Sequence, residues 1–472
     1  MCTSDKIVRI AFAAGLSAFA TPAFADIVIS SGATNNVTCS SGVCTPTSSN
    51  AVLNVGDLET LLGGGNVTLA AAAEPVDVDV AASLSWVSTS TLTIDSHHSV
   101  NVDQPVAVTG GGGLSVITND GGTGGYFTFA PGASVAIWSL SSNLAINSTP
   151  YTLVANLATL ASDIAANPSG SYALVGNYNA TPDGTYSSSP VSTNFFGNFQ
   201  GLGNTISDLA ISSKASHANI GLFAEAESGS TISNVVMTDS KVVAKGMSSS
   251  AGILVATDHG TLFGDHTSGT VSVGKSSYAG GLAAGGATVI ASSSSASVSA
   301  KDASGAGGLL WGGNTIAECF ASGNVKLSGI KQGSAGGGLL GAGALSVSNS
   351  YATGSVEASG SSTSNIGGLV GSVSDGPTFG TSYSTGKVSG AAKYIGGFFG
   401  FYQSGTETNS YWDTQTSGTN NASGDDHTLP GVTGVTTKQL KSSLPAGFDP
   451  TIWAQSKTIN EGFPYLIANP PQ

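Results

Sequence analysis

Through the middle of the chain, pairs of large apolar residues led by glycine return at a steady interval between longer polar stretches. They read Gly221-Leu222-Phe223, Gly252-Ile253-Leu254, Gly280-Gly281-Leu282, Gly307-Gly308-Leu309-Leu310, Gly337-Gly338-Leu339-Leu340, Gly367-Gly368-Leu369-Val370 and Gly396-Gly397-Phe398-Phe399. The first apolar residues, Leu222, Ile253, Leu282, Leu309, Leu339, Leu369 and Phe398, are 27 to 31 residues apart. A near-constant step is an internal repeat. A second phrase keeps the same beat: His266 to Val271, Phe320 to Val325, Tyr351 to Val356 and Tyr383 to Val388, with a degenerate copy from Ser293 to Val298. Each repeat therefore carries two short β-type runs separated by Gly, Ser and Asn turn chemistry, with no room for a helix.

A propeller blade needs about 40 residues or more, and the regular leucine and asparagine pattern of leucine-rich repeats is missing. One coil of a parallel β-solenoid fits, each repeat making one circuit and pairing with the next about 4.8 Å away. Glycine before the apolar pair permits tight corners and positive φ. The in-phase Leu, Ile, Val and Phe residues then form an interior ladder, and Phe320, Tyr351 and Tyr383 a parallel aromatic stack. Disorder, the competing reading of a Gly/Ser-rich tract, does not keep aliphatic residues in phase.

Three segments carry a family resemblance: Gly-Gly-Leu-Val-Gly at 367–371, Tyr-Ala-Thr-Gly-Ser-Val at 351–356, and Tyr411-Trp412-Asp413-Thr414-Gln415-Thr416-Ser417-Gly418. They resemble the GLUG-motif repeats of filamentous-haemagglutinin-like bacterial surface proteins, and the segment from Gly197 to Leu209 resembles the one that opens such arrays. The resemblance covers residues 170–467 well and 50–166 more loosely. It implies a right-handed β-helix with an exported, adhesin-like role and no catalytic residues. Such repeats also accompany peptidase domains, so the motif specifies architecture more than activity.

The flanks divide the rest. Residues 1–25 read as a signal peptide, with Lys6 and Arg9, an apolar run from Ile10 to Ala20, and Ala23-Phe24-Ala25 as the cleavage site, so that the mature chain begins at Asp26. Residues 26–150 alternate apolar and polar over short runs such as Val67-Thr68-Leu69, Leu92-Thr93-Ile94 and Phe127-Thr128-Phe129, which predicts irregular solenoid coils or a capping β element. From Tyr151 to Asn167, Leu153, Leu157, Leu160 and Ile164 mark one helix face, stopped by Pro168 and Gly170, so 151–169 is a helical insertion. The repeat β-helix occupies 170–410. Residues 411–472 form a cap, with a helix from Thr437 to Leu444, and Trp453, Phe463 and Tyr465 covering the apolar interior of the last coil. No strand set suits an autotransporter-type barrel, which implies a separate outer-membrane transporter.

Charge and cysteine usage narrow the functional classes. The formal net charge is −14, and loss of Lys6, Arg9 and Asp5 with the leader makes it slightly more negative and leaves no arginine. A nucleic-acid partner needs clustered cations and is excluded. Cys39 and Cys44, in Cys-Ser-Ser-Gly-Val-Cys, suit a small disulfide loop in an oxidising compartment. Cys319 reads as a buried, small apolar residue.

Candidate chemistry is sparse. A polysaccharide-degrading β-helix would need two carboxylates across a glycosidic bond, or Ca²⁺ with a basic residue. Asp425-Asp426 follows the array in a loop, and His259 follows Asp258 rather than glycine. Asp258-His259 and Asp265-His266 could meet around a turn as a metal site, against the plainer reading of solvated turn residues. Asp95-Ser96-His97-His98 reads as a turn between strands. The expectation is therefore an all-β, right-handed parallel β-helix with one inserted helix and a C-terminal cap. It is exported to the cell surface or medium, non-enzymatic, without a cofactor or metal, and meets a cell, glycan or matrix ligand. A secreted polysaccharide-degrading enzyme is the alternative.

Overall fold

The computed structural model describes residues 27–70, 77–302, 304–329, 334–360, 364–374 and 376–471; the expected signal peptide lies outside them. The chain is an all-β parallel solenoid of about 13 turns with few helices. Its unit is clearest around Leu309. In that coil Gly305–Gly307, Leu310–Ala317, Phe320–Ala321 and Val325–Ser328 form short strands, each pairing in parallel with its counterpart one coil on. Like sits on like: Leu310, Leu340, Val370 and Phe399 share one column, and Val298, Val325, Val356 and Val388 another. Leu222, Ile253, Leu282, Leu309, Leu339, Leu369 and Phe398 are all 0% exposed. The amides of Leu309, Leu339 and Leu369 each donate at 2.9 Å to the carbonyl of Leu339, Leu369 and Phe398 in turn. Burial of a leucine contributes about 2 kcal/mol, repeated coil after coil.

The glycine of the phrase has a different cause from the expected positive φ. Gly308, Gly338 and Gly368 have ordinary φ, but a methyl on each would overlap the carbonyl oxygen of Gly338, Gly368 and Gly397 respectively. The corner is tight because neighbouring backbones approach too closely for a side chain. The left-handed turn lies elsewhere, at a phase filled mostly by other residues: Gly264 (φ 65°), Ala291 (48°), Glu318 (54°), Asn349 (45°), Thr381 (45°) and Asn409 (47°).

The residue after each of these turns points inward and is polar or sulfur-bearing: Asp265, Ser292, Cys319, Ser350, Ser382 and Ser410, all 0% exposed. Ser350 shows why. Its hydroxyl donates to the Ser348 carbonyl at 2.8 Å and accepts the Cys319 amide at 3.2 Å, while its own amide donates to Ser382 Oγ at 3.3 Å. A second column runs through Ser249, Ser277 and Ser304. Each coil thus satisfies its buried corner amides with the next coil's hydroxyl, and an unpaired one would cost about 1–3 kcal/mol. Cys319 occupies a serine place, its thiol directed at the Ala317 carbonyl.

The N-terminal section is a second, irregular solenoid with its own core. Cys39 and Cys44 face each other across an antiparallel pair and are joined as a disulfide. A helix unexpected from the sequence, α1 (Val55–Gly64), is capped by Asn54, whose side chain accepts the Gly56 and Asp57 amides, and buries Leu58 and Leu62. It lies against the strand Leu84–Trp86, the open edge of a three-stranded face, and so covers an edge that would otherwise pair with another chain.

The two sections join by a reversal of direction. Residues Thr149–Val154 form a strand, antiparallel to Leu144–Ile146 and parallel to Ser171–Leu174. The inserted helix, α2, is correspondingly shorter than expected at Leu157–Ala166, and Leu153 belongs to the strand before it. Leu157, Leu160 and Ile164 close the interior of the first coil of the repeat section. After the reversal the N-terminal section lies along the flank of the repeat section: Asn204 Nδ2 donates to the Val135 carbonyl at 2.8 Å, and Asn234 Nδ2 to the Phe127 carbonyl at 3.0 Å. Tyr126 stacks on Phe263 at 4.6 Å.

The C-terminal cap covers a different surface from the one expected. The last coil is closed by residues 418–432, where the Phe398 amide meets the Ala422 carbonyl and Leu429 and Val432 are buried. A short helix, α3 (Thr437–Leu440), ends before the expected Leu444 and carries a capping box between Thr436 and Gln439. Beyond it the chain turns back along the flank, where Leu440, Phe448, Trp453, Phe463 and Leu466 pack on Phe320, Tyr351 and Tyr383. The expected aromatic stack is there, with 4.9 Å between successive rings and planes 6° and 3° apart. It stands outside the solenoid, and an external apolar stack needs covering; the tail provides that cover.

Candidate functional site

The flank that carries the aromatic stack is where the three parts of the chain meet. One outward column runs through Val236, His266, Ser293, Phe320, Tyr351, Tyr383 and Tyr411. The corner just before it is the left-handed turn, which swings each of these side chains out. The N-terminal section covers one end of the column through Phe129 and Ala130 near Val236. The tail covers the other end: Tyr383 donates its hydroxyl to the Pro464 carbonyl at 2.6 Å, and Asn469 Nδ2 donates to the carbonyls of Ser292 and Glu318 at 3.1 and 2.9 Å.

Between the two covers a pocket of about 280 Å³ remains, lined by Val236, Met237, Thr238, His266, Thr267, Ser268, Ser293, Ser295, Phe320, Ser322 and Pro471. His266 Nδ1 lies 2.8 Å from Ser293 Oγ. Burial pushes the imidazole pKa down to about 4, because charge is costly away from water; the ring is neutral near pH 7. Thr267 spends its hydroxyl on the Gly281 carbonyl at 3.1 Å. Ser295 and Ser322 are exposed and Ser268 half-buried. Among the described residues no carboxylate, lysine or arginine side chain lines the pocket.

A second cleft of about 420 Å³ lies between the N-terminal section and the tail, with Asp79, His98, Asn101, Asp103, Tyr126, Glu318 and Ile467 in its walls. Burial raises the carboxyl pKa of both Asp103 and Glu318 above the usual range. Asp79, Asn101 and Thr128 link three coils by hydrogen bonds of 2.8 and 2.7 Å. Beside them Ser99, His98 and Asp77 have the residue types of a nucleophilic triad but not its geometry. Ser99 Oγ at 3.1 Å and Asp77 Oδ1 at 2.7 Å both meet the same ring nitrogen, Nδ1. A relay needs the hydroxyl and the carboxylate on opposite nitrogens.

The Asp-His pairs from the sequence do not form one site: their aspartates come near each other in the interior, but their histidines do not join them. Adjacent residues on a strand point to opposite faces, so Asp258 and Asp265 enter the interior, 3% and 0% exposed, while His266 enters the groove. His259 Nε2 instead faces Glu225 at 3.6 Å. Burial pushes the Asp258 carboxyl to about 6 against the pull of the Gly260 and Ala287 amides, and holds Asp265 well above the carboxylate range. Asp265 Oδ1 accepts the Val235 amide at 2.9 Å, while Oδ2 is buried without a partner; a protonated carboxyl suits a column built from hydroxyls. Among the described residues no group of three or more metal-ligating side chains gathers. His98 of the Asp95–His98 turn pairs with Asp77, while His97 Nδ1 is buried without a partner. Asp425 accepts the Tyr402 amide at 3.3 Å and faces His427 at 3.0 Å, whereas Asp426 accepts from Asn421 at 2.7 Å.

The sequence reading missed the groove because its walls come from residues far apart in the chain. The repeated pair of a buried small residue followed by an outward one, as in Ser292-Ser293, Cys319-Phe320, Ser350-Tyr351 and Ser382-Tyr383, was the available signal. Compared with known proteins, the chain matches no family and no curated sequence.

Proposed function

We propose that this chain is an exported, non-enzymatic, adhesin-like β-solenoid that presents a long repetitive surface to a cell, glycan or matrix partner. The observation that carries this reading is a parallel solenoid of about 13 turns in all, whose outward positions in the repeat section are themselves ordered in columns. Ser272, Ser299, Lys326, Glu357 and Ser389 follow one another along one face, and Ser268, Ser295 and Ser322 line one pocket. A surface that repeats at about 4.8 Å suits a partner that is itself extended and repetitive. The likeness of 351–356 and 367–371 to GLUG repeats of bacterial surface proteins supports the same reading. So does the leader-like segment 1–25, and passage across an outer membrane would fall to a separate transporter. The test is adherence of beads coated with the purified chain to cells, matrix and immobilised glycans. Retention above uncoated beads is expected, and equal retention on every surface would overturn the proposal.

A polysaccharide-degrading enzyme is the alternative, favoured by one observation: Asp103 and Glu318, both with raised pKa, share the second cleft. Release of reducing ends from a panel of neutral and uronate-containing glycans, abolished by Glu318→Gln, would establish it in place of the adhesive reading.

A further inference from the structure

We propose that the pocket at Ser293 is a binding subsite for one neutral sugar ring, and this deepens the adhesive reading on which it rests. The ring column carries the argument. Phe320, Tyr351 and Tyr383 stack at intervals of 4.9 Å, one ring per coil, and His266 stands in the same column two coils before Phe320. Between them the column position is Ser293, which has no ring. The ladder therefore lacks one rung, and the gap from His266 to Phe320 spans two coil rises, about 10 Å. The pocket of about 280 Å³ opens at this place, a volume near the lower end of small-ligand sites and suited to one ring.

The lining selects the chemistry of that ring. Phe320 offers an apolar wall, and Val236 and Pro471 add to it, so a flat C–H face can leave water there. Six hydroxyl side chains, Thr238, Thr267, Ser268, Ser293, Ser295 and Ser322, line the same space. Thr267 and Ser293 are engaged within the protein and Ser268 Oγ accepts the Asp239 amide at 3.2 Å, which leaves Thr238, Ser295 and Ser322 to meet ligand hydroxyls. Serine and threonine hydroxyls both donate and accept, as sugar hydroxyls do. A purely apolar or aromatic ligand would strip water from these groups without replacing its hydrogen bonds. An anionic sugar finds no cation among the described residues: none of the lining side chains is a lysine or arginine, His266 is uncharged near pH 7, and the chain carries a formal net charge of −14. Repulsion by that field disfavours uronates and sialic acids.

The fold also supplies a clean way to close the site. The equivalent position one coil on is Phe320 and two coils on is Tyr351, so Ser293→Phe inserts a ring where the architecture already accepts one. The test is saturation-transfer NMR and calorimetry on the full chain with methyl glycosides and short oligomers of neutral pyranoses, and with uronates as the anionic comparison. Binding of at least one neutral pyranose at about millimolar affinity is expected, at least about tenfold weaker for uronates. Ser293→Phe should lose it by about tenfold or more without lowering Tm, and a Ser295→Ala, Ser322→Ala pair should weaken it by a smaller factor. The proposal is overturned if no neutral pyranose binds the native chain at about 10 mM, or if Ser293→Phe binds as the native chain does. Adherence of coated beads, run alongside, separates the two readings. Beads that adhere with native protein deaf to sugars overturn the subsite alone, whereas sugar binding blocked by Ser293→Phe without any adherence supports the subsite and removes the adhesive function.

Discussion

The repeat section and the N-terminal section are both solenoids, yet they are built by different rules. In the repeat section the same residue types return to the same places: leucine on leucine at 309, 339 and 369, a glycine corner beside them, and hydroxyls bridging each coil to the next. In the N-terminal section the inward columns are Val78–Val100–Phe127, Leu84–Val106–Val135 and Leu92–Leu114–Leu144, and the glycine–leucine phrase occurs there once, at Gly112-Gly113-Leu114, without returning in the coils before and after it. Its clearest coil-to-coil side-chain ladder is on the outside, through Asp79, Asn101 and Thr128. A parallel solenoid thus requires only apolar side chains in phase on each face. The repeated phrase is a device for one close corner, and the section that lacks it leans on its neighbour through Asn204 and Asn234.

If the close corner is what separates the sections, it should be the most sensitive point. Gly338→Val places a branched side chain against the Gly368 carbonyl and the Ala352 methyl, and the loss should be about 3 kcal/mol or more, read by denaturant unfolding. Gly64, with nothing within 4 Å of a methyl and a place in α1, is the contrasting site. Gly64→Ala should leave stability unchanged or raise it by up to about 1 kcal/mol. Equal losses at both would erase the distinction. Leu339→Ala should cost about 2–5 kcal/mol, as truncation of a buried leucine does. Because each coil supports its two neighbours, amide exchange should rise in the coils around Leu309 and Leu369 while 78–116 stays protected.

The attachment of the two sections comes next in size. Asn204→Ala and Asn234→Ala leave the Val135 and Phe127 carbonyls without side-chain donors, each at about 1–3 kcal/mol. With both changed, proteolysis should cut within 120–137 while the repeat section survives. A simultaneous loss of both sections would show that they fold as one unit.

The repeats were legible because period and phase can be read from residue type alone: the solenoid, the Leu222-to-Phe398 column and the Phe320–Tyr351–Tyr383 stack all follow from spacing. What remained hidden depends on contacts between distant segments. The side of the wall on which the stack stands is settled by the tail, through Trp453 and Phe463. The glycine corner looked like a positive-φ turn because sequence does not separate a backbone that needs left-handed φ from one with no space for a Cβ. Helix α1 was hidden inside a strand-like run, although Asn54 followed by Leu58 and Leu62 is a capped helical face. The candidate pocket is defined by a side chain that is too small, Ser293 among rings, and an absent rung is visible only when the rungs are stacked.

The smallest difference expected between variants is also the most diagnostic of the His266 environment, because titrations of opposite sign overlap there. Asp258 is pushed up to about 6, so between about pH 4 and 6 the folded chain holds a proton that the unfolded chain has released, and stability falls as pH rises. His266 is pushed down to about 4, so between about pH 4 and 6.5 the unfolded chain holds the extra proton, and stability rises with pH. Asp265, held well above the carboxylate range, adds to the falling side. With two falling contributions against one rising, the native chain should show a Tm that declines from pH 4.5 to 6. Asp258→Asn removes one falling contribution and should tilt the profile upward; His266→Gln removes the rising one and should make the decline steeper. Variants at 258 and 266 that merely track the native profile would mean that neither side chain is buried as the groove requires.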